Sequence, residues 1–196
     1  EYQAAYRSRN NGVCVCQNIT DEAGNTLFPW KLHTMKNGLR VGIVGIVTDY
    51  VNIWEKEENL KGIHITDPFE AAKNALAQMK EQTDLTICIY HGGFECDLES
   101  GETLSQTTEN VGYRICKELD FDILLTGHQH MSVPGRDISG TYTVQPCDNA
   151  KEYQYLEVTM TDHEKSIRSE LRQSDAAKGT VLADKYRSTE NAVQAW

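Results

Sequence analysis

Two histidine-bearing blocks, each placed at the end of an apolar run, constrain this chain more than any other feature. Tyr90-His91-Gly92-Gly93-Phe94-Glu95 begins where Leu85-Thr86-Ile87-Cys88-Ile89 ends, and Gly127-His128-Gln129-His130 lies just beyond Ile123-Leu124-Leu125. Short apolar runs rich in β-branched residues and bounded by glycine read as strands buried on both faces. Helical signals lie between the strand signals. Asp67 can cap a helix that starts at Pro68, and Phe69, Ala72, Leu76 and Met79 fall on one helical stripe. A second helical pattern runs from about Glu109 to Leu119 after the polar loop 99–108. Strand, helix, strand is a βαβ unit, and right-handed crossovers bring both histidine blocks to one sheet edge. Open α/β sheets place ligand sites at that edge.

The remainder reads as mixed structure. Val13-Cys14-Val15-Cys16 is a short strand candidate. Lys31 to Lys36 alternates, Asn37-Gly38 is a two-residue turn signal, and Leu39 to Val47 is nearly all apolar. After the second histidine block, Tyr142–Gln145, Tyr153–Met160 and Ser166–Arg172 read as hairpin strands, and a last helix runs from about Leu182 to Trp196. A polar opening at Glu1-Tyr2-Gln3, and an end at Trp196 inside a helical pattern, lead us to expect a segment of a longer protein.

The formal net charge of −10 argues against a nucleic acid polymer as partner, because a basic face is what attracts one. A phosphate-bearing ligand would need local cations. No apolar run reaches the roughly 20 residues that span a bilayer. The six cysteines (Cys14, Cys16, Cys88, Cys96, Cys116, Cys147) form no CxxC pair. We expect reduced thiols and a cytoplasmic setting, with an exported or cell-wall-associated protein as the alternative.

Imidazole is the commonest metal-ligating side chain, and three on one edge suggest a metal centre. If the Gly127–His130 segment is extended, His128 and His130 point to opposite sides and suit two adjacent ions better than one. Such dinuclear sites, with ions about 3.5–4 Å apart, also need bridging carboxylates. Glu95 and Asp97 are near in sequence but not at a bridging position. A single zinc held by the three histidines remains open, as does the bland alternative of polar loop residues, which we assign to His33, His64 and His163. Glu55-Lys56-Glu57-Glu58 reads as a solvated loop. No GxSxG elbow, Walker A loop or strand-GxGxxG-helix is present. Cys96 near His91 shows nothing that would lower a thiol pKa.

The sequence resembles the calcineurin-like metallophosphoesterases, in the branch of 5′-nucleotidases, 2′,3′-cyclic-nucleotide 2′-phosphodiesterases and UDP-sugar hydrolases. The matching stretches are Arg40-Val41-Gly42-Ile43-Val44-Gly45-Ile46, His91-Gly92-Gly93-Phe94-Glu95, Glu109-Asn110, Asp122-Ile123-Leu124-Leu125-Thr126-Gly127-His128-Gln129-His130 and Val144-Gln145-Pro146. The resemblance implies an α/β fold, part of a four-layer αββα sandwich of mixed sheets with flanking helices. It implies two divalent ions (manganese, zinc or iron), His91 and His128 on one and His130 on the other. It also implies supporting or structural roles for Glu95 and Asn110, while Glu109 can equally be a first-turn helix residue. The substrate class implied is a nucleotide or sugar nucleotide.

The family's earlier motifs, Asp-x-His, Gly-Asp-x-x-Asp and Gly-Asn-His-Asp/Glu, are not found. Residues 1–175 are therefore expected to be the second half of the catalytic domain, and 176–196 a helical linker towards a C-terminal nucleotide-binding domain. No catalytic residue beyond the ligands is expected in this stretch, metal binding by it alone should be weak or absent, and it should be inactive alone. A non-catalytic metal- or partner-binding module is the alternative, and self-association through an uncovered sheet face is possible on either reading.

Overall fold

The computed structural model describes residues 13–161, 164–174 and 181–194. In chain order the strands are β1 (Cys16–Thr20), β2 (Thr26–Phe28), β3 (Lys31–Thr34), β4 (Arg40–Val47), β5 (His64–Ile65), β6 (Leu85–His91), β7 (Ile123–Thr126), β8 (Val133–Ile138), β9 (Thr141–Gln145), β10 (Glu152–Met160) and β11 (Lys165–Gln173). The helices are α1 (Val51–Trp54), α2 (Pro68–Met79), α3 (Gly112–Glu118) and α4 (Val181–Gln194).

Six strands form one mixed sheet in the order β3-β4-β6-β7-β9-β8. The four central strands are parallel, with Val47 opposite His91, Tyr90 opposite Thr126 and Leu125 opposite Val144. Strands β3 and β8 pair antiparallel at the two edges. A three-stranded antiparallel sheet, β2-β1-β5, and the β10–β11 ribbon complete the strands. The mixed α/β architecture expected from the sequence is the one observed.

Alternation with period two sorts the central strands into two faces. Val44, Ile46, Cys88, Tyr90 and Leu124 pack under α2 and α3, against Phe69, Leu76, Met79 and Ile115. Val41, Leu85 and Ile123 face the other way, beneath Leu156, Val158, Met160 and Ile167 of the ribbon. Lys165 and Asp122 form an ion pair that fastens the ribbon to the start of β7. The buried polar residues of β9 are all satisfied: Thr141 donates to Phe121 O and Thr143 to Leu124 O, each at 2.9 Å. Gln145 accepts from Thr126 Oγ1 at 3.0 Å and donates to Met131 O at 3.0 Å. Buried hydroxyls and amides need such partners to avoid a desolvation penalty.

Local signals hold where they rest on caps and turns. Asp67 caps α2 by accepting from Glu70 N at 3.0 Å, and Gly38 takes the left-handed φ of 89° that its turn requires. Two expected elements start three residues later than their patterns suggest. The first strand is Cys16–Thr20, because buried Asn18 pairs with the end of β4: its side chain accepts from Val47 N and donates to Val47 O and Thr66 O. The second helix begins at Gly112, since Glu109 and Asn110 are used in loop contacts. Strand β8 adds to the strands expected from the sequence. It is an edge strand with a register shift, where a proline is tolerated. The last helix is described over Val181–Gln194; the expected end at Ala195-Trp196 and His163 lie outside the described residues.

Candidate functional site

His91 is the last residue of β6, and Gly127–His130 leaves the end of its parallel neighbour β7. Parallel pairing therefore delivers both blocks to one sheet edge. The His91 and His128 rings lie 5.4 Å apart between centroids. Burial, followed by the neighbouring His128 and His130 imidazoles, holds the His91 ring pKa below its usual value. His130 belongs to the same cluster electrostatically, although its side chain is exposed.

The turn is not extended. His128 and His130 adopt φ of 69° and 55°, and Gln129 N bonds back to Gly127 O at 2.8 Å. The opposite-sides argument for His-x-His therefore fails here, because pleat alternation applies only to extended backbone. Left-handed backbone costs a residue other than glycine on the order of 1–3 kcal/mol, so surrounding contacts must hold it. Gly127 N donates to Gly92 O at 3.2 Å, joining the two histidine loops. Gln129 accepts from Phe94 N at 2.8 Å and donates to Phe94 O at 2.9 Å. The close approach explains Gly92 and Gly93: a Cβ at Gly93 would collide with the Gln129 carboxamide, and one at Gly92 with the Tyr90 ring.

Adjacent residues upstream of α3 each secure one block. Asn110 Oδ1 accepts from Gly93 N at 2.7 Å, and the Glu109 carboxylate lies 2.9 Å from His128 Nε2. Tyr90, buried in β6, donates to the backbone oxygen of Glu109 at 3.1 Å. Glu109 is thus a partner of His128 and not a first-turn helix residue. Glu95 has a different task. It accepts from Tyr113 N at 3.0 Å and Arg114 N at 2.7 Å, so it caps α3, and burial raises its pKa.

The loop before α1 and α1 itself also reach the site. The Trp54 indole stacks on the His128 ring at 5.2 Å with a 29° interplanar angle, and Tyr50 meets Trp54 edge-on. Nothing in the local sequence marked Trp54, which precedes an acidic stretch that reads as solvated loop. On the loop before α1, Asp49 Oδ2 accepts from Thr108 Oγ1 at 3.4 Å, while its buried Oδ1 has no partner. Burial first, and then Asp67, raises the Asp49 pKa.

Three imidazole nitrogens suit zinc or iron, whereas manganese calls for oxygen ligands beside them. Among the described residues, however, no group of three or more His, Cys, Asp or Glu side chains is arranged to hold a metal ion. Glu95 is committed to α3, and Asp97 to Glu99 N and Ser100, so neither supplies the bridging carboxylate.

No family model matches the chain. It is 29% identical over 103 residues to a 2′,3′-cyclic-nucleotide 2′-phosphodiesterase/3′-nucleotidase of Salmonella typhimurium, which covers 52% of this chain and 15% of the relative. It is 31% identical over 120 residues to a 5′-nucleotidase of Vibrio cholerae, covering 59% of this chain and 21% of the relative. A solved Staphylococcus aureus structure, assigned as a 5′-nucleotidase in complex with α-ketoglutarate, superposes with a TM-score of 0.84 at 28% identity. That match covers all of this chain and 39% of the other. The chain thus spans 15%, 21% and 39% of the length of these three proteins. Its homologues are 5′-nucleotidases, 2′,3′-cyclic-nucleotide phosphodiesterases and metallophosphoesterases, and its fold matches part of the calcineurin-like phosphoesterase fold of longer solved proteins.

Proposed function

We propose that this chain is the second part of the catalytic domain of a dinuclear-metal phosphoric ester hydrolase acting on nucleotides, as a 5′-nucleotidase or a 2′,3′-cyclic-nucleotide phosphodiesterase. The observation that carries the reading is the convergence of two histidine loops from neighbouring parallel strands, with the His91 and His128 rings 5.4 Å apart. On this reading His91 and His128 are ligands of one ion and His130 of the second. Asn110 holds the His91 turn and Glu95 the helix behind it. Residues 1–175 are the catalytic part, and 176–196 lead towards a nucleotide-binding domain.

Three neutral imidazoles bring no negative charge to bridge two divalent ions, so the remaining ligands come from sequence outside these residues. The chain alone is then inactive and binds metal weakly. Assaying a generic phosphomonoester with added manganese should show no turnover, and robust turnover lost on His128→Ala would overturn the partial-site reading. Manganese-dependent hydrolysis of a nucleotide by a longer chain that includes the preceding coding sequence would support it.

The second reading is a non-catalytic metal- or partner-binding module. It predicts that the longer chain stays inactive. A cytoplasmic setting is proposed from the six free thiols. Among the described residues no helix is long and apolar enough to cross a membrane. Self-association through the sheet face that carries Ile89, 42% exposed, has that exposure as its one support.

A further inference from the structure

We propose that Glu109 and Trp54 are positioning residues that lock His128 in a single tautomer and ring orientation, with the proton on Nε2 and the lone pair on Nδ1. The argument starts from what a carboxylate can do. Ionised carboxylate oxygens only accept hydrogen bonds, so the Glu109 contact at 2.9 Å requires Nε2 to be the donor. In a neutral imidazole the other ring nitrogen is then the acceptor. Nδ1 is thereby the nitrogen that His128 offers to a ligand.

One hydrogen bond leaves the ring free to rock about it. The Trp54 indole supplies the second constraint by covering a face of the ring at 5.2 Å and 29°. The two groups come from different segments, and each is braced. Tyr90 holds the Glu109 backbone, and Thr108, one residue before Glu109, bonds to Asp49 of the loop before α1. The left-handed φ of 69° fixes the direction in which the His128 side chain leaves the backbone. Backbone, edge and face are thus all specified before any ligand arrives. Carboxylates in this position relative to a metal-binding histidine set its tautomer and ring orientation.

The inference rests on the proposed function only for the use of Nδ1; the tautomer itself is measurable without metal. Long-range proton–nitrogen correlation spectra of the full chain, with His128→Gln identifying the His128 signals, should show a pyrrole-type Nε2 and a pyridine-type Nδ1. Glu109→Gln, which keeps the shape but can donate as well as accept, should give averaged signals from mixed tautomers. Trp54→Leu should keep the tautomer, lose the ring-current shift of the His128 ring protons and broaden them. A wild-type Nδ1–H form, or wild-type signals unchanged by Glu109→Gln, would overturn the proposal, and the wild-type spectrum decides even where a variant fails to fold. The tautomer decides the lock with no metal present, and weak zinc binding by this chain alone bears on neither reading. Loss of manganese-dependent hydrolysis by the longer chain on His128→Ala tests the ligand role separately, whereas a wrong tautomer removes the lock whatever that assay shows.

Discussion

The carboxamide of Gln129 closes on both backbone polar atoms of Phe94, accepting from its N–H at 2.8 Å and donating to its carbonyl at 2.9 Å. A side chain between two histidines thus acts as a short piece of strand, tying the second histidine turn to the first. Phe94 is 4% exposed, so its backbone groups have little access to replacement water. Gln129→Ala should lower stability by about 1–3 kcal/mol, the cost of leaving buried backbone groups unpaired. A urea titration reads this directly, and an unchanged midpoint would mean that solvent reaches Phe94 after all.

Gly93 and Gln129 should be energetically coupled. A methyl group at Gly93 meets the Gln129 carboxamide, so Gly93→Ala should cost about 1–3 kcal/mol through overpacking. In a Gln129→Ala background the obstacle is gone, and the same substitution should cost less by about 0.5–3 kcal/mol. Strict additivity in the double-mutant cycle would refute the close approach.

Asn18 should be among the most sensitive positions in the chain. It is fully buried and serves three backbone atoms: Val47 N at 3.0 Å, Val47 O at 2.7 Å and Thr66 O at 2.9 Å. Asn18→Ala should destabilise by roughly 3 kcal/mol or more, since each orphaned buried group costs about 1–3 kcal/mol. Asn18→Asp should retain only the contact to Val47 N, so its cost should approach that of alanine. Thermal denaturation of both variants tests this, and two near-wild-type transitions would rule it out.

The Arg40–Asp84 contact predicts a pH dependence. Arg40 donates to Asp84 through Nη2 at 2.6 Å, Nε at 3.2 Å and its backbone N at 2.9 Å. These bonds pull the Asp84 carboxyl from its usual 3.8 to about 2. A carboxyl lowered on folding contributes stability above its unfolded value and loses it as pH falls through the folded one. The window is therefore about pH 4 down to pH 2. Asp84→Asn should lower the melting temperature at pH 6, with the difference closing as pH approaches 2. A difference that is the same at both ends would exclude Asp84 titration as its source.

Much of the fold was legible because its signals are local. Asp67-Pro68 starts a helix by supplying an acceptor and a fixed φ to the first turn, and Asn37-Gly38 turns the chain because glycine tolerates positive φ. The apolar runs before His91 and His128 became strands because central parallel strands bury most of both faces, although Ile89 stays 42% exposed. Boundaries that depend on distant partners were harder to read. Strand β8 forms around Pro134 and Gly135 because β9 offers it an edge, and α3 starts three residues after Glu109 because Glu109 and Asn110 are drawn to the histidine loops.

Sequence alone determined that His91, His128 and His130 leave parallel strands on one edge, since apolar periodicity and crossover handedness act through near neighbours. Only the tertiary structure decided how the imidazoles are held. The left-handed turn at His128 and His130, the Glu109 carboxylate, the Trp54 indole and the Gln129 bridge come together from separate segments. Each depends on backbone pairing and close packing between segments far apart in the chain, which residue spacing along one strand does not encode.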